Sequence, residues 1–265
     1  MNKHISSLQN PLVKQWITLK EKSRSRKRLG LFLVEGYREI RLAIKGGYEI
    51  ESIIFNPELI SIRKIHDLNI PVAEVIEVSS EVYQRIAYRE TTQGLIAVSK
   101  SKDLSLKNLK QIDSIALILV AEAPEKPGNI GALLRTADAA NLDAVIVANP
   151  LTDMYNPNII RSSVGCLFTN NIAIGTTREI IQFLKNNNVK IFCAALDQSS
   201  KYHEQNYLNA TAIVLGTEAT GLSFEWLENS TKNIMIPMQG EIDSLNVSVA
   251  AGILIFEAKR QRDFN

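Results

Sequence analysis

Ala212-Ile-Val-Leu-Gly-Thr-Glu-Ala-Thr-Gly-Leu222 decides how this chain is read. Its first half is an unbroken apolar run, the pattern of a strand buried on both faces, as in a parallel sheet. The strand, expected over 212–216, passes directly into a turn with glycine at 216 and 221. Ligands of parallel sheets bind at the carboxyl ends of the strands, so Gly216 is expected to expose backbone groups to one. The spacing is Gly-x-Glu-x-x-Gly and no lysine follows, which supports neither a dinucleotide fingerprint nor a P-loop. Taken alone, Glu218 also suits a solvated turn.

Two further segments flank this one. Downstream, a strand at 233–237 contains Ile234-Met-Ile-Pro-Met238, and Ser244-Leu-Asn-Val-Ser-Val-Ala-Ala-Gly252 opens a final helix over 244–262. Ser244 is expected to cap that helix, leaving Leu245, Asn246 and Val247 in a first turn with unpaired N–H groups. The small residues 250–252 allow close backbone packing. Upstream, a strand at 115–120 precedes Lys126-Pro-Gly-Asn-Ile-Gly-Ala-Leu-Leu-Arg-Thr-Ala-Asp138. Here Gly128 and Gly131 are expected to let the backbone turn tightly, and Asn129 to cap a helix over about 129–140. Arg135 follows Asn129 by close to two turns, which places both toward one end of a cleft. The segment alone also fits an ordinary capped helix.

The rest of the second half alternates in the same way, with strands at 144–148 and 190–194 and helices near 158–163 and 178–187. Such alternation indicates a parallel sheet covered on both faces. The first half forms a smaller α/β unit: strands at 31–34, 50–55, 72–76 and 94–98 interleave with helices at 37–45, 59–66 and 81–88. Between 100 and 113 the composition turns to Lys, Ser, Asp and Leu without periodicity, as an interdomain connection does. The domains are therefore expected at 1–99 and 114–265, joined by a linker over 100–113.

Composition narrows the function. With 265 residues and 45% apolar content, two globular domains are the natural division. Residues 1–15 lack the apolar stretch of a secretory signal and no run of eighteen apolar residues occurs, so a cytoplasmic protein is expected. Cys166 and Cys193 are far apart within apolar stretches and read as core residues. His4, His66 and His203 are scattered, so no metal centre is expected. The net charge is only +2, yet residues 1–30 carry eight Lys or Arg against the single acid Glu21. Within this expected helical arm, Lys22, Arg24, Arg26, Lys27 and Arg28 make a basic cluster suited to phosphate backbones, although a solvated helix would look alike.

Together, the three segments resemble the signature motifs of the SpoU/TrmH class of RNA 2′-O-ribose methyltransferases in the SPOUT superfamily. The order is Asn-x-Gly-x-x-x-Arg, Leu-Gly-x-Glu-x-x-Gly-Leu, then Ile-Pro-Met and Ser-Leu-Asn-Val-Ser-Val-Ala. Phe32-Leu-Val-Glu-Gly36 and Thr92-Gln-Gly-Leu-Ile-Ala97 resemble the L30e-like substrate-binding domain that many members carry. The chain departs from the class at Glu125-Lys-Pro-Gly, where Asp-Pro is commoner, and at Asn141, where Gly is usual.

The resemblance implies an α/β fold whose C-terminal domain contains a deep trefoil knot, with S-adenosylmethionine held by Leu215, Gly216, Thr217, Ile236, Met238 and Leu245. It implies Arg135 at the catalytic centre with Asn129, Glu218 and Asn246 around it. Glu218 is expected to orient Arg135. A guanidinium stays protonated, so Arg135 is expected to grip phosphate and stabilise an alkoxide rather than act as a base. The class works as homodimers through the final helix. Structured ribosomal RNA is the expected substrate and transfer RNA the second choice. A non-catalytic RNA-binding or ribosome-assembly protein is the competing reading, against which the intact Arg135, Glu218 and Asn246 argue.

Overall fold

The computed structural model describes residues 3–70, 74–109, 112–196 and 199–264. It divides into two compact units, Met1–Lys102 with Asp153–Thr169, and Asp103–Thr152 with Asn170–Asn265.

The first unit opens with β1 (Lys3–Ile5), α1 (Pro11–Glu21) and α2 (Ser23–Leu29). Alternation follows through β2 (Leu31–Glu35), α3 (Tyr37–Lys45), β3 (Ile50–Phe55), α4 (Ile62–His66), β4 (Glu74–Val78), α5 (Ser80–Ile86) and β5 (Leu95–Lys100). The sheet order is β1-β4-β3-β5-β2, with β5 antiparallel to both neighbours and the other pairs parallel. Of the strand expected at 72–76, Val72 and Ala73 lie outside the described residues. Residues 3–30 are packed into this unit and do not form an arm. Pro11 starts α1 behind an Asn10 side-chain cap. Val13, Trp16 and Leu19, three residues apart, bury one face of α1 against Leu33, Ile54, Val78 and Ile86.

Asp153–Thr169 belongs to this unit although the sequence order suggests the other. Phe32 stacks on Tyr155, with ring centroids 4.3 Å apart, and on Phe168. The Arg26 guanidinium and Asp153 carboxylate, 5% and 7% exposed, form a buried ion pair. Arg26 also donates to the carbonyls of Leu19 and Lys20.

The second unit contains β6 (Leu117–Glu122), α6 (Pro127–Ala139) and β7 (Ala144–Ala148). The chain then passes through α7 (Pro157–Ser162), within the segment just assigned to the first unit. It continues with β8 (Ile172–Gly175), α8 (Thr177–Asn186), β9 (Lys190–Ala194), β10 (Ser200–Lys201), β11 (Thr211–Leu215), α9 (Phe224–Asn229), β12 (Lys232–Met235) and α10 (Val247–Gln261). All seven strands are parallel, in the order β10-β12-β9-β11-β6-β7-β8. One sheet face, carrying Ile118, Val120, Ile146 and Val214, packs on Ile180 and Leu184 of α8 and Trp226 of α9. None of these residues comes from α6 or α10, which pack on each other, with α10 also touching β6 and β11. The expected two-faced parallel sheet is the one observed.

Local details differ from the sequence reading. Residues 103–109 are less a linker than an added edge, since Ser105 bridges Ile174 and Ile174 N–H donates to the Leu104 carbonyl. Lys110 and Gln111 lie outside the described residues. The final helix begins at Val247, capped by Asn246, whose side chain accepts from Ser248 N–H; Ser244 is not its cap. Likewise α6 begins at Pro127 and Asn129 lies inside its first turn. Gly128 and Gly131 therefore sit within the helix, not in a tight turn. Asn141 adopts φ +47°, which explains why a class that usually has glycine here accepts asparagine. Cys166 and Cys193 are buried, and desolvation pushes the Cys193 thiol up to about 12. Among the described residues no helix is long and apolar enough to cross a membrane.

Candidate active site

The carboxyl ends of β9, β11 and β12 meet the start of α10 around a cleft of about 740 Å³. Its central loop follows β11. Thr217 N–H donates to the Gly221 carbonyl and Gly221 N–H returns the bond to Thr217, both at 3.1 Å. The Thr217 hydroxyl accepts from Thr220 N–H at 3.0 Å. This closure explains both glycines. A Cβ on residue 216 would stand 2.1 Å from the Gly221 carbonyl carbon and 2.4 Å from Leu222 N, while Gly221 itself takes φ +67°. Gly216 is thus required by its own loop, a more specific reason than exposure of backbone to a ligand.

Leu215, Gly216, Thr217, Ile236, Met238 and Leu245 all line the cleft. Sequence reading missed Ala194, Ala195 and Leu196, which also line the cleft. Their signal was positional: they end the strand beside β11, where a parallel sheet presents ligand-binding loops. The volume lies within the range for small-molecule sites. Apolar walls from Leu215, Ile236, Leu245 and Leu254 suit a purine ring, and the loop at Gly216–Thr217 offers polar backbone beside them.

At the rim, the carboxylate of Glu218 gathers the other segments. Its Oε1 accepts from Asn129 Nδ2 at 3.0 Å and from Asn246 Nδ2 at 2.6 Å. Its Oε2 takes Lys126 Nζ at 2.6 Å. Asn246 Oδ1 meanwhile accepts from Ser248 N–H and hydroxyl, so one side chain both caps α10 and braces Glu218. The bond from Lys126, followed by that from Asn129, holds the Glu218 carboxyl below the usual carboxylate range; in return Glu218 raises the Lys126 ammonium.

Arg135 does not join this cluster. Six residues along a helix turn through about 600°, which leaves Arg135 about 120° from the direction of Asn129. The Arg135 side chain is exposed, and Lys126 takes the place beside Glu218 that the sequence reading gave to Arg135. Lys126 was legible only as a departure from the usual motif. In the first unit, Lys22, Arg24, Lys27 and Arg28 are exposed on or beside α2. Arg26 leaves the basic set, because its guanidinium is consumed by Asp153 and two carbonyls.

Residues 116–256 match the SpoU rRNA methylase family, and residues 10–97 match the MRM3-like substrate binding domain. The chain belongs to the SpoU rRNA methylase family. Among relatives, it is 30% identical over 257 residues to the Bacillus subtilis 23S rRNA (guanosine(2553)-2′-O)-methyltransferase RlmP, covering 97% of this chain and 99% of that protein. It is 27% identical to the Streptomyces viridochromogenes 23S rRNA (uridine(2479)-2′-O)-methyltransferase, covering 96% and 91%. Two solved family structures superpose with TM-scores of 0.89 at 26% identity: the AdoMet-bound rRNA methyltransferase from Sinorhizobium meliloti, covering 97% of each chain, and the S. viridochromogenes SpoU methyltransferase AviRb in complex with AdoMet, covering 96% and 99%.

Proposed function

We propose that this chain transfers a methyl group from S-adenosylmethionine to a ribose 2′-hydroxyl of ribosomal RNA. The observation that carries the reading is the meeting of Asn129, Glu218 and Asn246 at the rim of a cleft lined by all six expected donor-site residues. Relatives that share nearly the full length act on 23S rRNA, which favours ribosomal over transfer RNA.

When bound, S-adenosylmethionine supplies an electrophilic methyl group. The cleft walls bind and shield it, and holding two reactants in line removes much of the entropic barrier. Glu218, with both oxygens engaged and its carboxyl held low, braces the three motif segments rather than taking the proton. Arg135, a permanent cation on α6, grips an RNA phosphate and stabilises the developing alkoxide, while the 2′-hydroxyl proton passes to solvent water. The first unit delivers RNA, with Lys22, Arg24, Lys27 and Arg28 meeting phosphates.

The trefoil knot and the homodimer through α10 belong to the same reading. On α10, Val249 and Phe256 are 51% and 42% exposed, seven residues apart and hence on one face, as a pairing surface requires. The cellular place of this chemistry is the cytoplasm. The test is a map of ribose methylation in the RNA of a strain lacking the gene. Loss of one 2′-O-methyl mark in ribosomal RNA supports the reading; loss confined to transfer RNA, or no loss, refutes it.

A further inference from the structure

At the end of β6 lies a buried acid that belongs to none of the three motifs. Glu122 ends β6, is 7% exposed, and shares its sheet face with Ile118 and Val120 by strand alternation. Its carboxylate is fully engaged. Oε1 accepts from the Thr177 hydroxyl at 2.8 Å and the Ser223 hydroxyl at 2.7 Å, while Oε2 accepts from Ser223 N–H at 2.8 Å. Thr177 in turn accepts from Asn149 Nδ2 at 2.9 Å, so the acid sits in a satisfied network reaching from β7 to α9.

Ser223 is the informative partner. It follows Leu222, the last residue of the cleft loop, and occupies the N-cap position of α9. A serine there ordinarily accepts from an N–H of its own first helical turn. Here no such capping bond forms, and both the hydroxyl and the N–H of Ser223 are given to Glu122. The helix forgoes its cap and the loop gains an anchor. The loop is then fixed at both ends: at Gly216 by the returning backbone, and at Ser223 by a carboxylate that cannot be replaced by an apolar group without orphaning three donors, two of them on Ser223.

We infer that Glu122 is a positioning residue for the methyl donor, holding the 217–222 loop in its binding shape through Ser223. It touches neither donor nor RNA. Because the loop binds the donor alike before and during transfer, loosening it weakens binding and leaves the chemical step nearly intact.

The experiment measures calorimetric binding of S-adenosylmethionine, donor KM, kcat on ribosomal RNA and thermal unfolding for wild type, Glu122→Gln, Ser223→Ala and the double variant. Glu122→Gln keeps the shape but turns an amide toward a donor, and should raise Kd and donor KM about tenfold with kcat within about twofold. Ser223→Ala keeps the backbone bond and removes no capping bond, so it should raise them about threefold, and it decides the matter alone if Glu122→Gln does not fold. The double variant should be no worse than Glu122→Gln, as coupled partners behave. A lower melting temperature with unchanged donor Kd and KM would overturn the inference, as would a fall in kcat at unchanged KM. Donor binding is read without RNA, so a wild type that binds the donor but methylates no ribosomal RNA would refute the proposed function and leave this inference standing.

Discussion

Gly216→Ala is the smallest change that tests how the donor loop is built. The added methyl would lie 2.1 Å from the Gly221 carbonyl carbon, 2.3 Å from its oxygen and 2.4 Å from Leu222 N. All three are backbone atoms, so no rotamer change relieves the clash. Reaching an ordinary carbon–carbon contact requires the returning strand of the loop to retreat by more than about 1 Å. Overpacking of this kind typically costs about 1–3 kcal/mol. If that cost falls on the loop's binding conformation, donor affinity drops by about 5- to 150-fold. Calorimetric titration with S-adenosylmethionine measures it directly. Leu184→Ala, a core truncation on α8 that does not line the cleft, serves as a comparison for general damage. Donor affinity within about twofold of wild type would refute the claim that the close return of Gly221 shapes the donor site.

Four other outcomes follow, the first from the proposed role of Arg135 and the others from the contacts described above. Arg135→Ala should leave donor binding nearly unchanged while single-turnover methyl transfer falls by roughly two to four orders of magnitude, with Arg135→Lys restoring only part; near-normal turnover in the Ala variant would make Arg135 a surface residue. Because the Glu218 carboxyl is held low, first by Lys126, its bracing is complete above the ordinary glutamate range and is lost only as pH falls through the lowered value. Donor affinity measured against pH should therefore persist to acid pH in wild type, and Lys126→Ala should move the loss upward toward the ordinary range. Arg26→Ala strands the buried Asp153 and should cost about 3–5 kcal/mol in denaturant unfolding, whereas Arg26→Met with Asp153→Leu should cost much less. Neutralising Lys27 and Arg28 should flatten the salt dependence of RNA binding by about one phosphate contact each.

The parallel sheet was legible because β6, β7, β9 and β11 are built on the apolar runs 117–121, 144–148, 191–194 and 212–215, the mark of strands covered on both faces. Strand β8 has four residues, β10 two and helix α9 six, too few for any period to show. The helix expected near 158–163 is also present, over Pro157–Ser162 with Asn156 as its cap. Local signals could not say that this helix packs with the first unit, since the Phe32–Tyr155 stack and the Arg26–Asp153 pair join residues more than a hundred positions apart. Charge counting fails for the same reason at Arg26, which turns inward while Lys27 and Arg28 beside it are exposed. In the site, Asn129, Glu218 and Asn246 could be named from motif order. The partner of Glu218 could not, because Lys126 reaches it only through the fold.

The central claim is that this cleft serves methyl transfer to a ribose oxygen of ribosomal RNA. Its most direct test incubates the purified protein with methyl-labelled S-adenosylmethionine and a ribosomal RNA fragment spanning the mark lost from the deletion strain, alongside the same fragment with 2′-deoxyribose at that nucleotide. The account predicts that the label appears as a single 2′-O-methylnucleoside in the first fragment and is absent from the second. Label on a base, or equal label in the deoxy fragment, would contradict it.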